Sequence, residues 1–346
     1  MAWVERIKAL IEQHGFSLLV PTSDASIAQL AAHRADLGEH RVAAPSDATL
    51  EILVDKGATR EAARKLGVPT ASGRLSSAPH DADQLAHELG LPLIVKSPRS
   101  YSLGEASQKT GVALVESREE IADALSGRET ALVEGFLPGF CRGVSVLAKD
   151  GEVLQAFQHK RLRQEHATGP SSWRVSEDLD PALLEASRRI VAHSGLTGVA
   201  MFEYRCNDET GEFALLEVNP RFWGSMQLAA DAGADYPALL HDMLIEGQVP
   251  GKRFDFPSGL QKRSVWGEFD ALSQAFETAG GGLERIAFMR RLTQFLGALA
   301  KREGFDSYAK DDPEPFERER AQVLGRFRSR ITNNAPIGGR TTSRDR

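Results

Sequence analysis

Cysteine is nearly missing from this chain: only Cys141 and Cys206 occur in 346 residues, in no metal or redox spacing. They read as buried thiols in a reducing cytoplasm, and a disulfide scaffold is excluded. No apolar run approaches the ~18–20 residues of a membrane helix, so no membrane partner is expected. The opening MAWVERIKALIEQHG has no basic stretch followed by an apolar one, so secretion is not expected either. There is no basic excess: 42 Lys+Arg against 48 Asp+Glu give a net charge of −6. That argues against nucleic acid as a partner, because neutralising phosphates needs a basic surface. No GxxxxGK[ST] or GxGxxG stands where a strand meets a helix, and no Ser-His-Asp or Cys-His constellation is evident. Internal repeats are absent too. What these absences leave is a cytoplasmic α/β protein of about two or three domains, an enzyme by its general character.

The pattern that is present changes along the chain. Val4, Ile7, Leu10 and Ile11 keep helical spacing, Phe16 to Val20 is a short apolar run, and Ile27, Leu30 and Ala31 resume a helical stripe, with Ser23 or Asp24 placed to cap it. This predicts a small βα unit. A helix is expected at TREAARKLG. From residue 90, strand and hairpin signals dominate: LPLIVK, GVALV, TALVEGF, then VSVLA and VLQAFQ around Lys149-Asp150-Gly151, and GVAMFEYR and FALLEVN around NDETGE. Helices are expected at SREEIADAL and PALLEASRRIVAHSG, and the chain past residue 250 reads as mostly helical before a disordered tail. The fold class is therefore α/β at the start and α+β, with antiparallel pairing, thereafter.

The strongest chemical signal is Glu203 with Glu217 and Asn219. Both glutamates interrupt runs that otherwise ask to be buried, and Glu217 and Asn219 share a strand face. A hairpin around 207–212 would bring Glu203 to the same side. Two carboxylates and an amide there call for something positive between them, either a hard cation such as Mg²⁺ or ion pairing with Arg205 or Arg221. Lys96 ends the strand LIVK before a polar loop, where it can hold a phosphate or simply be solvated. Glu134 stands at a strand-to-turn junction that could present main-chain groups to a planar ligand or be an ordinary turn. Lys160, Arg161 and Arg163 suit an anionic substrate or a solvated face. His166 and His241 lack ligand spacing and read as structural.

Taken in order, DKGATREAARKLGVPT, LPLIVKSPRS, LVEGFLPG, HKRLRQ followed by TGPSS, GVAMFEY, and LLEVNPRFWGS with AADAGADYP resemble the ATP-grasp superfamily, in its carbamoyl-phosphate-synthetase-like, carboxylate–amine ligase branch. The resemblance covers roughly residues 15 to 250. It implies an ATP-grasp fold with a shortened Rossmann-like N-terminal domain over 1–48, the ATP-grasp domain over 49–250 with a small lid at about 85–137, a mostly helical C-terminal extension over 251–332, and a disordered tail over 333–346. It further implies that Lys96, with Lys56 and Ser102, contacts the phosphates of ATP, and that Ser97–Lys109 is a mobile loop over them. Glu134, Gly135, Phe136 and Leu137 would be the hinge at adenine. Glu203, Glu217 and Asn219 would hold two Mg²⁺ ions, with Mn²⁺ as the alternative metal. Arg221 would act on the transferred phosphoryl group, assisted by Lys160 and Arg161. The implied activity is ATP-dependent activation of a small-molecule carboxylate as an acyl phosphate, then capture by an amine. A carboxyphosphate-forming carboxylase and a non-catalytic nucleotide-binding module are the alternatives. Two departures stand out. Phe140, Cys141 and Arg142 occupy the place where relatives often carry an acidic residue for ribose, and the preceding domain is short, which implies either a truncated start or a homodimer or partner subunit that completes the substrate site.

Overall fold

The computed structural model describes residues 2–38, 42–99, 111–164, 171–278, 282–301 and 304–333. The chain divides into two compact units, Met1–Arg161 with Val175–Leu260, and Leu162–Arg174 with Gln261–Arg346.

The first unit opens with helices: α1 (Ala2–His14), α2 (Asp24–Ala32), the single turn α3 (Arg34–Leu37), α4 (Asp47–Val54) and α5 (Lys56–Lys65). Val4, Leu30, Leu37 and Val42 form a small core here, with Ile7, Ile11 and Leu19 packed on it. The strand expected at Phe16–Val20 is reduced to one parallel bridge, Leu19 to Val42. Pro21 ends the run and offers no backbone donor, and Val42 supplies its partner among the described residues. At the start of α2, Ser23 is the cap. Its hydroxyl accepts from the Ser26 amide, and the Ser26 hydroxyl returns to the Ser23 backbone. The Asp24 carboxylate is thereby left for another partner.

A four-stranded antiparallel sheet follows. It is built from β1 (Gly73–Ser77), α6 (Ala82–Leu89), β2 (Leu93–Lys96), β3 (Ala113–Val115), α7 (Arg118–Leu125) and β4 (Thr130–Gly135), in the strand order β1-β4-β2-β3. Leu85, Ile121 and Leu125 from the two helices bury Leu93, Val95 and Val133 beneath them.

The larger sheet uses β5 (Phe140–Lys149), β6 (Glu152–Gln164), β7 (Ser171–Glu177), α8 (Pro181–Ser194), β8 (Gly198–Cys206), β9 (Phe213–Asn219), α9 (Met226–Asp231) and α10 (Tyr236–Leu244). Within the first unit the order is β6-β5-β8-β9, with every pair antiparallel. Asp150 and Gly151 close the β5–β6 hairpin at φ 50° and 79°, the left-handed pair that a two-residue turn with matching twist requires. Alternation sorts the side chains. Val144, Val146, Ala200, Phe202 and Tyr204 pack under α8, while Leu147, Phe157, Val199 and Met201 pack against α9 and α10.

The second unit holds the far ends of β6 and β7, the short β10 (Gln261–Arg263), and α11 (Val265–Thr278), α12 (Gly282–Lys301) and α13 (Glu314–Asn333). Its core contains Val265, Leu272 and Phe295. Arg263 lies over the Trp173 ring at 3.6 Å and is paired with the buried Glu268 at 3.1 Å.

Candidate active site

A bulge decides which face of the sheet carries the carboxylates. The β8–β9 hairpin closes with Cys206 opposite Phe213, a register in which residues of opposite parity share a face. Carried on, it would turn Glu217 away from Glu203. The register shifts between Tyr204 and Glu203, leaving Leu216 as the extra residue, and beyond it Glu203 stands opposite Glu217 and Met201 opposite Asn219. The three polar side chains therefore share one face. Asn219 Nδ2 donates to Glu217 Oε1 at 3.3 Å, and the carbonyl of the bulged Leu216 accepts from Lys96 Nζ at 3.4 Å.

Cations close in on this row from several elements. Arg161 on β6 reaches Glu203 Oε1 at 2.5 Å, and Lys56 at the start of α5 lies 3.5 Å from Glu217 Oε2. Lys96, at the end of β2, is 2.5 Å from Glu134 on β4, whose other oxygen accepts from Arg60 at 2.8 Å. Arg221 follows β9. Its Nε lies 2.5 Å from Asp24 Oδ1 and its NH2 donates to Asn219 Oδ1 at 2.9 Å. Arg205 is not a partner of either glutamate. It donates to the Leu137 carbonyl at 2.9 Å and covers the Phe136 ring at 5.0 Å.

These surroundings separate two chemically identical groups. Burial pushes the Glu203 carboxyl up, Arg161 opposes that, and the charge of Glu217 adds to it. Glu217 is half-buried and its desolvation acts in the same direction, but Lys56, Lys96, the Asn219 amide and Arg161 together hold it below the usual carboxylate range. No group of three or more His, Cys, Asp or Glu with metal spacing occurs among the described residues. Two carboxylates and an amide, all hard oxygen donors, fit a cation that keeps other positions for ligand oxygens or water, which is the habit of Mg²⁺.

Several expected residues gather here, namely Lys56, Lys96, Arg161, Glu203, Glu217, Asn219 and Arg221. Lys160 does not. It pairs across the sheet with Arg142, one residue out of phase with Arg161, and so lies on the opposite face, with Nζ 2.6 Å from Asp208 and 4.0 Å from the Phe140 ring centroid. Ser102, most of the Ser97–Lys109 loop and His166 lie outside the described residues. In the hinge stretch, Gly135 N donates to Ser72 O at 2.8 Å and Phe136 N to Pro92 O at 3.0 Å, while the Glu134 carboxylate is held by Lys96 and Arg60. His241 is half exposed beside Asp242.

Asp24, Arg60, Gly143 and His159 adjoin the candidate site and were not expected from the sequence. His159, Gly143, Glu203 and Glu217 stand in one cross-strand row. Gly143 gives the row its clearance: a Cβ there would come within 2.3 Å of the buried His159 ring. That ring is 3.3 Å from the Ser225 hydroxyl, beyond the Arg221 loop. Gly143→Ala is expected to destabilise the protein by roughly 1–3 kcal/mol, as overpacking does, and to disturb the Arg161–Glu203 pair beside it. Thermal unfolding of the variant checks the first expectation.

The family model described as "ATP-grasp in the biosynthetic pathway with Ter operon" matches residues 127–265, the stretch that carries β5, β8, β9 and the carboxylate row. Over that stretch the chain is similar to the ATP-grasp family. Among the curated relatives, the phosphoribosylamine–glycine ligase of Synechocystis sp. is 29% identical over 205 residues, which are 53% of this chain and 47% of that protein. The N-terminal section of the carbamoyl phosphate synthase large chain of Methanopyrus kandleri is 26% identical over 261 residues, 67% of this chain and 45% of that protein. The chain thus spans about half the length of these curated relatives. The ATP-grasp fold itself is also that of biotin carboxylase from Campylobacter jejuni, with a TM-score of 0.61 at 18% identity, covering 75% of this chain and 60% of that one.

Proposed function

We propose that this chain is an ATP-dependent ligase that activates a small-molecule carboxylate as an acyl phosphate and joins it to an amine, releasing ADP and phosphate. The observation that supports this reading best is the row of Glu203, Glu217 and Asn219 on one sheet face, ringed by Lys56, Lys96, Arg161 and Arg221. Such a site neutralises and orients phosphates and offers no covalent nucleophile, and phosphoryl transfer needs positioning and charge more than a nucleophile. Mg²⁺, held by Glu203, Glu217 and Asn219, would neutralise charge on the phosphates. Lys96 and Lys56 hold phosphate oxygens as point charges, and the hinge from Glu134 to Leu137 borders adenine. Strands β2, β3 and β4, which fall within the 85–137 region, belong to the lid. Arg161 balances Glu203, and Arg221 presents a planar fork to the carboxylate and the transferred phosphoryl group. Lys160, on the other face, has no role in the reaction.

The carboxylate oxygen attacks the γ-phosphorus, the bond to the β–γ bridging oxygen breaks, and ADP leaves. The amine then adds to the acyl carbon, the acyl–oxygen bond breaks, and phosphate departs with that oxygen while the amine loses a proton. Arg221→Lys tests the assignment of the fork. Lys keeps the charge and loses bidentate geometry, so kcat should fall by about 10–100-fold while ATP affinity stays within a few-fold. Equal kcat in single-turnover measurements of ADP formation would make Arg221 only a counter-ion for Asp24.

A further inference from the structure

Between α2 and α4 lies a cleft of about 220 Å³. Ile27, Ala28 and Ala31 are buried along one wall, and Leu50 and Val54 form the other. Its mouth is open to solvent, where Ala32 and Glu51 are exposed. Well-packed proteins leave few such spaces, and an open apolar recess is a binding feature before it is a packing fault. The volume is below the ~300–1,000 Å³ of a site that takes a whole small ligand, so it suits one group of a larger ligand.

Both walls of the cleft lead toward the charged network. Asp24, Ile27, Ala28 and Ala31 stand at i, i+3, i+4 and i+7 of α2 and so share one helix face. That face begins at the carboxylate holding Arg221, and Ile27 lies roughly 4.5 Å further along the axis at 1.5 Å per residue. On the α4 wall the lining runs to the Asp55–Arg99 pair at 2.5 Å, and the residue after Asp55 is Lys56, the partner of Glu217.

We infer that this cleft is the subsite for the apolar side chain of the carboxylate substrate, an inference that rests on the ligase reading. A carboxylate on the Arg221 fork would send its alkyl or aryl group along the Asp24 face into the recess. Asp47 and Glu51 at the mouth would repel an acidic side chain there. The substrate class is therefore a carboxylate with an aliphatic or aromatic side chain about the size of leucine or phenylalanine.

The test uses the full chain and acetate, butyrate, 4-methylvalerate and 4-phenylbutyrate as probes, with dissociation constants taken from NMR titration. The expected result is affinity rising about 3–4-fold per methylene up to 4-methylvalerate, the worth of a buried CH₂. Ala28→Leu fills the floor and should flatten the series. Ala32→Leu, at the exposed mouth, where folding is not at risk, should flatten it in the same direction. A series with no length dependence, or one equally steep in both variants, overturns the assignment. The same acids are incubated with ATP, Mg²⁺ and hydroxylamine, and hydroxamate is measured. Length-graded binding without hydroxamate leaves the apolar subsite standing and removes the ligase reading. Hydroxamate from every acid without length dependence removes the subsite and keeps the ligase.

Discussion

Replacing Glu217 by glutamine is expected to lower ATP turnover at least about 100-fold while leaving the melting temperature nearly unchanged, the scale of loss when one charge-stabilising group is removed from an active site. Glutamine keeps the size and the strand register but removes the carboxylate that faces Glu203 and draws Lys56 and Asn219 toward the row. Burial alone would favour the neutral acid here. It is the cations around Glu217 that hold the carboxyl below its ordinary range, so the charged form is the one the site is built around. Steady-state ADP release in Mg²⁺, beside thermal unfolding of the same preparation, measures both halves. ADP release at the wild-type rate would remove Glu217 from the metal set.

The second large effect is on stability. Glu134 is 5% exposed and sits between Lys96 and Arg60, which belong to β2 and α5. Glu134→Ala strands two cations, one of them the buried Lys96, and breaking a buried pair from one side costs roughly 3–5 kcal/mol. A fall in melting temperature of roughly 6–20 °C is expected for a chain of this class. If Glu134 served only as a contact for adenine, the variant would lose ATP affinity and keep its melting temperature. Differential scanning calorimetry of the nucleotide-free protein separates the two.

How far the sequence could be read depended on the range of the interactions involved. The antiparallel strands were legible because alternation and turn residues are local: Lys149-Asp150-Gly151 marks its hairpin without reference to the rest of the chain. Lys96 could be picked out because a charge ending an apolar strand is conspicuous. The shared face of Glu203 and Glu217 was reached from the spacing, but the turn at 207–212 by itself gives the wrong parity, and only the extra residue Leu216 restores it. A bulge of one residue leaves no mark in hydrophobic periodicity. Lys160 was misplaced for a related reason: in a cluster of basic residues on a strand, neighbours point to opposite faces, and composition cannot say which faces the site. Asp24 and Arg60 were missed because their partners, Arg221 and Glu134, are brought to them by tertiary packing alone.

The most direct measurement of carboxylate activation follows an oxygen atom. A panel of amino acids and simple acids, each with its carboxylate enriched in ¹⁸O, is incubated with the protein, ATP, Mg²⁺ and hydroxylamine as the amine, and the phosphate released is examined by mass spectrometry. An acyl phosphate resolved by an amine carries one carboxylate oxygen into phosphate, so the expected result is a single ¹⁸O in each phosphate formed with an accepted acid. Phosphate that stays unlabelled while ADP accumulates in step with the acid would contradict the proposed chemistry.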